Sequence, residues 1–162
     1  MEHTRTPDPL TWLTQAAPDP QACRRSWERT GLGVALLPAG RRWDVLYVRA
    51  RLGRPALDVL SAFTTRPAGP GPVFADGTGA GHDRSGRSAD LGFLVPAGTA
   101  QEWIASGVRA AAAGSWIALP HPTRRAGACH WLQPPDGTGQ LVDPGLFELA
   151  LHDAAARLLA RG

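Results

Sequence analysis

Apolar positions along this chain switch between a helical spacing and a two-residue alternation, and the switches mark out its elements. Asp8-Pro-Leu-Thr-Trp-Leu opens as a helix: Asp8 caps it, Pro9 takes the first turn, and Leu10, Trp12 and Leu13 pack. Asp19-Pro20 repeats that signal, with Ala22, Cys23, Ser26 and Trp27 on one face and Gly31 as the stop. Gly33 to Leu37 reads as a buried strand, Pro38 to Arg42 as a turn and Trp43 to Val48 as a second strand, which together predict a hairpin. Leu52, Ala56, Leu60 and Phe63 give Arg51 to Phe63 a helical face, with Pro55 expected in its first turn.

After a linker at Pro67 to Pro72, Val73 to Ala75 is a short strand. Gly77 to Arg87 is rich in glycine and reads as a flexible hairpin tip, lacking the Lys-Ser/Thr ending of a phosphate-binding loop. Leu91 to Val95 is a strand, and Thr99 to Ser106 a short helix expected to pack Trp103 and Ile104. Trp116 to Leu119 and Cys129 to Leu132 are β-prone runs joined by a glycine-containing loop, which predicts an antiparallel pair. Pro134 to Thr138 is a turn. Asp143-Pro144 caps a last helix with a broad stripe at Leu146, Phe147, Ala150, Leu151, Ala154 and Leu158. The order is roughly ααββαββαβββα, an α+β class with helices covering one face of a mainly antiparallel sheet.

Composition adds limits. A chain of 162 residues with 43% hydrophobic content reads as one domain over residues 8–162, preceded by a loose polar segment over 1–7. The 17 basic residues are all arginine, and a net charge of +3 with a pI near 9.6 weakly favours an anionic partner. Cys23 and Cys129 form no framework and show no metal-binding spacing, so both are expected as reduced thiols. No stretch reads as a signal peptide or reaches the ~18 apolar residues of a membrane span, so a cytoplasmic protein without membrane contact is expected. His121, His130 and Cys129 fit no standard zinc spacing. No serine has a nucleophile-elbow context. No metal or other cofactor is expected.

Two stretches carry a family resemblance. Trp27, Gly33-Val-Ala35, Gly40 and the strand Trp43-Asp-Val-Leu-Tyr-Val-Arg49 are similar to the first half of the bifunctional DNA primase/polymerase (prim-pol) domain, of the archaeo-eukaryotic primase superfamily. Gly107, Val108, Gly114, Trp116, Ile117, Pro120 and Trp131 resemble its second half. The likeness runs from Asp19 to Trp131. The Gly40-Arg-Arg-Trp-Asp-Val-Leu46 and Pro134-Pro-Asp-Gly-Thr-Gly139 stretches are similar to short actinobacterial proteins grouped with that family. The resemblance implies an RRM-like or prim-pol-like fold.

The resemblance also places an active site, and there the chain departs from the pattern. Tyr47 and Arg49 stand on the family's Asp-x-Asp metal ligands, Asp90 on its histidine and Arg109 on its third aspartate. Nucleotidyl transfer in that superfamily uses carboxylates to hold two divalent ions, and magnesium requires oxygen ligands. Guanidinium groups supply none, and they put positive charge where cations would sit. Asp44 alternates onto the opposite side of the strand from Tyr47 and Arg49. The resemblance therefore implies a degenerate, non-catalytic member.

Two outcomes are open for the altered site. Trp43, Tyr47 and Arg49 share one side of a strand. If that side is open, it offers aromatic and guanidinium planes to bases, with Arg109, Arg124 and Arg125 for phosphates. Single-stranded nucleic acid or a nucleotide is then the expected partner, and a regulatory protein is the alternative. In the other outcome Asp90 pairs with Arg49 or Arg109 and fills the former metal cavity. A structural or protein-interaction module, and an active primase using carboxylates outside the aligned positions, are the competing functions.

Overall fold

The computed structural model describes residues 8–29, 33–66, 69–77 and 89–162. Among the described residues twelve elements follow in the expected order. They are α1 (Pro9–Thr14), α2 (Pro20–Arg29), β1 (Val34–Pro38), β2 (Trp43–Arg49), α3 (Ala50–Phe63), β3 (Val73–Asp76), β4 (Asp90–Pro96), α4 (Thr99–Glu102), β5 (Val108–Ala111), β6 (Trp116–Pro120), β7 (Cys129–Gln133) and α5 (Pro144–Ala160). The helix starts are chemical. Asp8 accepts the Thr11 N–H at 2.8 Å, Asp19 the Ala22 N–H at 3.1 Å and Asp143 the Leu146 N–H at 3.0 Å. Each is followed by a proline whose missing N–H needs no partner in the first turn.

The strand pairings differ from the expected hairpins. A five-stranded antiparallel sheet has the order β5-β2-β4-β3-β7, and β1 pairs with β6 in a separate antiparallel ribbon. So β1 and β2 do not form a hairpin, and neither do β6 and β7. The cause lies in the side chains of β2. Trp43, Val45 and Tyr47 enter one core while Leu46 and Val48 enter another, so every residue up to Val48 is buried. Such a strand must lie at the centre of a sheet that is covered on both faces. The β1 strand buries only Ala35 and Leu37 and leaves Leu36 exposed, so it serves as cover rather than as an in-plane neighbour.

One face of the central sheet is covered by α3 and α5, through Ala56, Leu60, Phe147, Ala150 and Ala154 against Leu46, Leu91 and Phe93. The second face is covered as well, by the ribbon with α1 and α2 joined to the same core through Leu13, Cys23 and Trp27. The single-sided arrangement expected from the sequence is thus corrected: both faces carry a hydrophobic layer. Side chains tie these layers together. The Trp27 indole N–H donates to the Leu119 carbonyl at 2.9 Å, and the Trp131 indole N–H to the Pro120 carbonyl at 3.0 Å. The β6 and β7 runs are neighbours across layers, not across a ladder.

Two helices also differ from expectation. Pro55 lies inside α3, past its first turn, because the helix starts at Ala50 directly from the last residue of β2. The helix predicted to Ser106 ends at Glu102, because Trp103 turns extended (φ −77, ψ 119) to pack on Phe147 at 5.5 Å. Ile104 is left 98% exposed. No described helix is long and apolar enough to cross a membrane. The glycine-rich loop expectation falls, beyond Gly77, outside the described residues.

Candidate functional site

The register of the central sheet collects most of the candidate residues at one end of one face. Tyr47 of β2 lies opposite Arg109 of β5, and Arg49 lies opposite Asp90 of β4. Asp90 in turn lies opposite Asp76 of β3, and Asp76 opposite Cys129 of β7. Side chains alternate along each strand, so Tyr47, Arg49, Asp76, Asp90, Arg109 and Cys129 all project to the same side.

Within this cluster the Arg109 guanidinium carbon lies 3.9 Å from the centroid of the Tyr47 ring, in a cation–π stack. One Arg109 nitrogen is 3.9 Å from an Asp90 oxygen, with the two side chains 63% and 37% exposed. A pair this long and this open contributes ~0–1 kcal/mol, so it orients more than it stabilises. Tyr47 itself is 5% exposed, and burial pushes its phenol well above the usual range, with the charge of Asp76 adding to the effect and that of Arg109 opposing it. The phenol therefore stays neutral at physiological pH, able to donate or accept a hydrogen bond but not to act as an anion.

Behind Tyr47 runs a row of aromatic rings. Tyr47 meets Phe74 edge-on at 5.9 Å, and Phe74 meets Trp131 at 5.7 Å. Phe74 crosses β4 at Gly92, where any side chain would collide with its ring. The row holds the ring of Tyr47, over which the Arg109 guanidinium sits. Cys129 lies beneath the cluster, its thiol pushed up to about 12 by burial and then by Asp76.

The remaining candidates fall elsewhere. Trp43 is fully buried at the opposite end of β2, covered by the chain itself, so that side of the strand is not open there and Trp43 offers no stacking plane. Its burial also removes the exposed Trp43 patch that a protein-interaction module would have used. Arg124 lies in the loop between β6 and β7, donating from Nε to the Ala126 carbonyl at 3.2 Å and covering Gly33 and Gly127. Arg125 in the same loop is exposed. Asp44 is buried on the other side of β2, where one oxygen accepts the Gly98 N–H at 2.9 Å and the Ala100 N–H at 3.0 Å. Its role is to cap α4 from a neighbouring strand.

His121 stacks edge-on against Trp27 at 5.4 Å, and His130 bonds the Gly127 carbonyl at 2.8 Å. Both rings are engaged locally. Among the described residues no group of three or more His, Cys, Asp or Glu side chains could hold a metal ion.

Asp76 was not singled out in the sequence. Its only signal is its place at the end of the Val73-Phe-Ala run, and its importance comes from a cross-strand register that the sequence does not encode locally. The assembled site holds two guanidinium groups, two carboxylates and a neutral phenol on a rigid sheet. Comparisons of this chain with protein-family models, with curated proteins and with solved structures find no match.

Proposed function

We propose that this chain is a non-catalytic relative of the prim-pol domain that binds nucleic acid or a nucleotide through the Tyr47–Arg109 end of its central sheet. The observation that carries the reading is Arg109: its guanidinium carbon sits 3.9 Å over the Tyr47 ring while most of its side chain faces solvent. A cation fixed in this way loses little entropy when it meets a phosphate. The mixed charge of the cluster narrows the ligand further. Two carboxylates beside two arginines disfavour a bare anion, whereas a nucleotide brings phosphate for Arg49 and Arg109 and amino groups for Asp76 and Asp90. Arginines at positions where the family carries metal-binding acids support binding without metal.

The test is binding of a labelled single-stranded oligonucleotide and of nucleotides, measured by anisotropy with EDTA present. Arg49→Ala with Arg109→Ala is expected to weaken binding about tenfold or more and to reduce its dependence on salt between about 50 and 200 mM. Unchanged binding by that double variant counts against the reading.

Asp76 opposite Asp90 favours a second reading, an active primase or polymerase built on this pair. Two carboxylates leave most of the ligand shell of two divalent ions unfilled. Metal-dependent nucleotide incorporation that is abolished by Asp90→Asn would establish this reading in place of the first.

A further inference from the structure

The ribbon of β1 and β6 presents its outer side to solvent, and there Trp116 is 58% and Leu36 61% exposed. Trp116 is the exposed member of the six tryptophans; Trp27, Trp43 and Trp131 are buried, and Trp12 and Trp103 partly so. Its position at the end of the ribbon is fixed. Trp116 pairs with Pro38, and the Ala39 N–H bonds the Ser115 carbonyl at 2.9 Å. Gly40 sits so close to Ala113 that a side chain there would collide with it. The turn carrying Arg41 and Arg42, both exposed, is thereby packed on the turn that leads into Trp116. At the other end of β6, roughly 13 Å away by strand rise, the loop to β7 carries Arg124 and Arg125.

Charge is segregated onto these segments. Residues 33–42 and 112–128, the ribbon with its flanking turns, hold four arginines (Arg41, Arg42, Arg124 and Arg125) and no aspartate or glutamate, while the whole chain is only +3. The remainder of the molecule is therefore net negative, and the ribbon with its flanking turns forms the basic side. The apolar part of this surface is small. Leu36 and Trp116 are the two large hydrophobic side chains exposed on it, and two side chains fall well short of the ~800 Å² per partner of a standard protein–protein interface. An isolated exposed indole between two arginine pairs instead matches the stacking and phosphate-contact requirements of an unpaired nucleic-acid strand, whose bases are free to stack.

We infer that the outer side of the β1–β6 ribbon is a track for single-stranded nucleic acid. Trp116 stacks on a base beside Leu36, Arg41 and Arg42 contact phosphates at one end, and Arg124 and Arg125 contact them at the other. The inference rests on the nucleic-acid reading above but uses a surface separate from the Tyr47–Arg109 cluster.

The test uses the full chain with a fluorescein-labelled oligothymidylate of about 20 nucleotides, a length beyond the site sizes of single binding modules. Expected results are about tenfold weaker binding for Trp116→Ala, partial retention for Trp116→Phe, and a salt slope lower by about 1.4 for Arg41→Ala with Arg42→Ala. Wild-type binding that none of these variants changes, but that Arg49→Ala with Arg109→Ala abolishes, overturns the track and leaves the sheet-end site standing. Loss through the ribbon variants alone supports the track and removes the sheet-end site. No binding by the wild-type protein overturns both. A self-associated protein in which Trp116 is shielded from acrylamide quenching overturns the track in favour of a second copy on this face.

Discussion

The ring of Phe74 occupies the space that a side chain on Gly92 would need. The two residues lie opposite each other on β3 and β4, so the missing side chain on one strand is filled by the aromatic ring of the next. This exchange lets Phe74 reach both Tyr47 and Trp131. Gly92→Ala is expected to destabilise the fold by about 1–3 kcal/mol through overpacking. Gly92→Ala combined with Phe74→Leu should recover part of that loss. Denaturation midpoints of the two single variants and the double variant measure the coupling, and simple additivity would show that the ring and the glycine do not share the space.

Asp44 holds the start of α4 through two backbone N–H groups. Asp44→Ala strands both donors in a buried setting and is expected to cost about 1–3 kcal/mol for each that finds no water. Asp44→Asn keeps one acceptor and should cost less. Hydrogen exchange at Gly98 and Ala100 provides the local readout: both amides should lose protection in Asp44→Ala.

His121 has its pKa lowered by burial. A histidine whose folded-state pKa lies below its unfolded value of 6.5 leaves the unfolded chain binding more protons as the pH drops below neutrality. Stability should therefore fall as the pH is lowered through and below that value, and be fully regained above it. Denaturant titrations on either side of pH 6.5 compare the wild type with His121→Gln. The variant should show a weaker dependence across that window.

Both thiols are buried, with Cys23 pushed up to about 11 and Cys129 to about 12 by desolvation. At pH near 8 the thiolate fraction is about one part in a thousand or less. Iodoacetamide should leave both unlabelled in the native protein and label both in denaturant. Rapid native labelling of Cys129 would mean that the sheet end opens beneath Tyr47.

Arg109 on Tyr47 contributes a modest term. Arg109→Ala is expected to lower stability by about 0.5–1 kcal/mol, the scale of an exposed cation–π contact. Asp90→Asn should change stability by no more than ~1 kcal/mol. A much larger loss from either would mean that the charged cluster is primarily structural.

Periodicity and capping chemistry made the order of elements legible, because helix starts at Asp8, Asp19 and Asp143 and the alternation in β2 are written in neighbouring residues. Strand partners were not legible. Proximity in sequence favoured pairing β1 with β2 and β6 with β7, but a strand buried on both sides demands covers, and β1 and β6 are used for that. The same effect misjudged Trp43. Alternation placed it on the side of Tyr47 and Arg49, yet whether that side was open depended on a ribbon formed by distant segments. Tyr47, Arg49, Asp90 and Arg109 lie together in the sheet, at positions singled out through a family pattern. Asp76 and Gly92 owe their roles to register alone and left no local mark.

The ribbon also constrains how the molecule comes into being. Trp27 donates to a carbonyl 92 residues further along the chain, and β1 gains its ladder only when β6 arrives. During synthesis the first strand must wait, solvated and unpaired, until β6 has emerged. Closure over so long a span places this fold among slowly forming topologies, and a shortened version ending before β6 would leave Ala35, Leu37 and the inner side of the central sheet bare to aggregation.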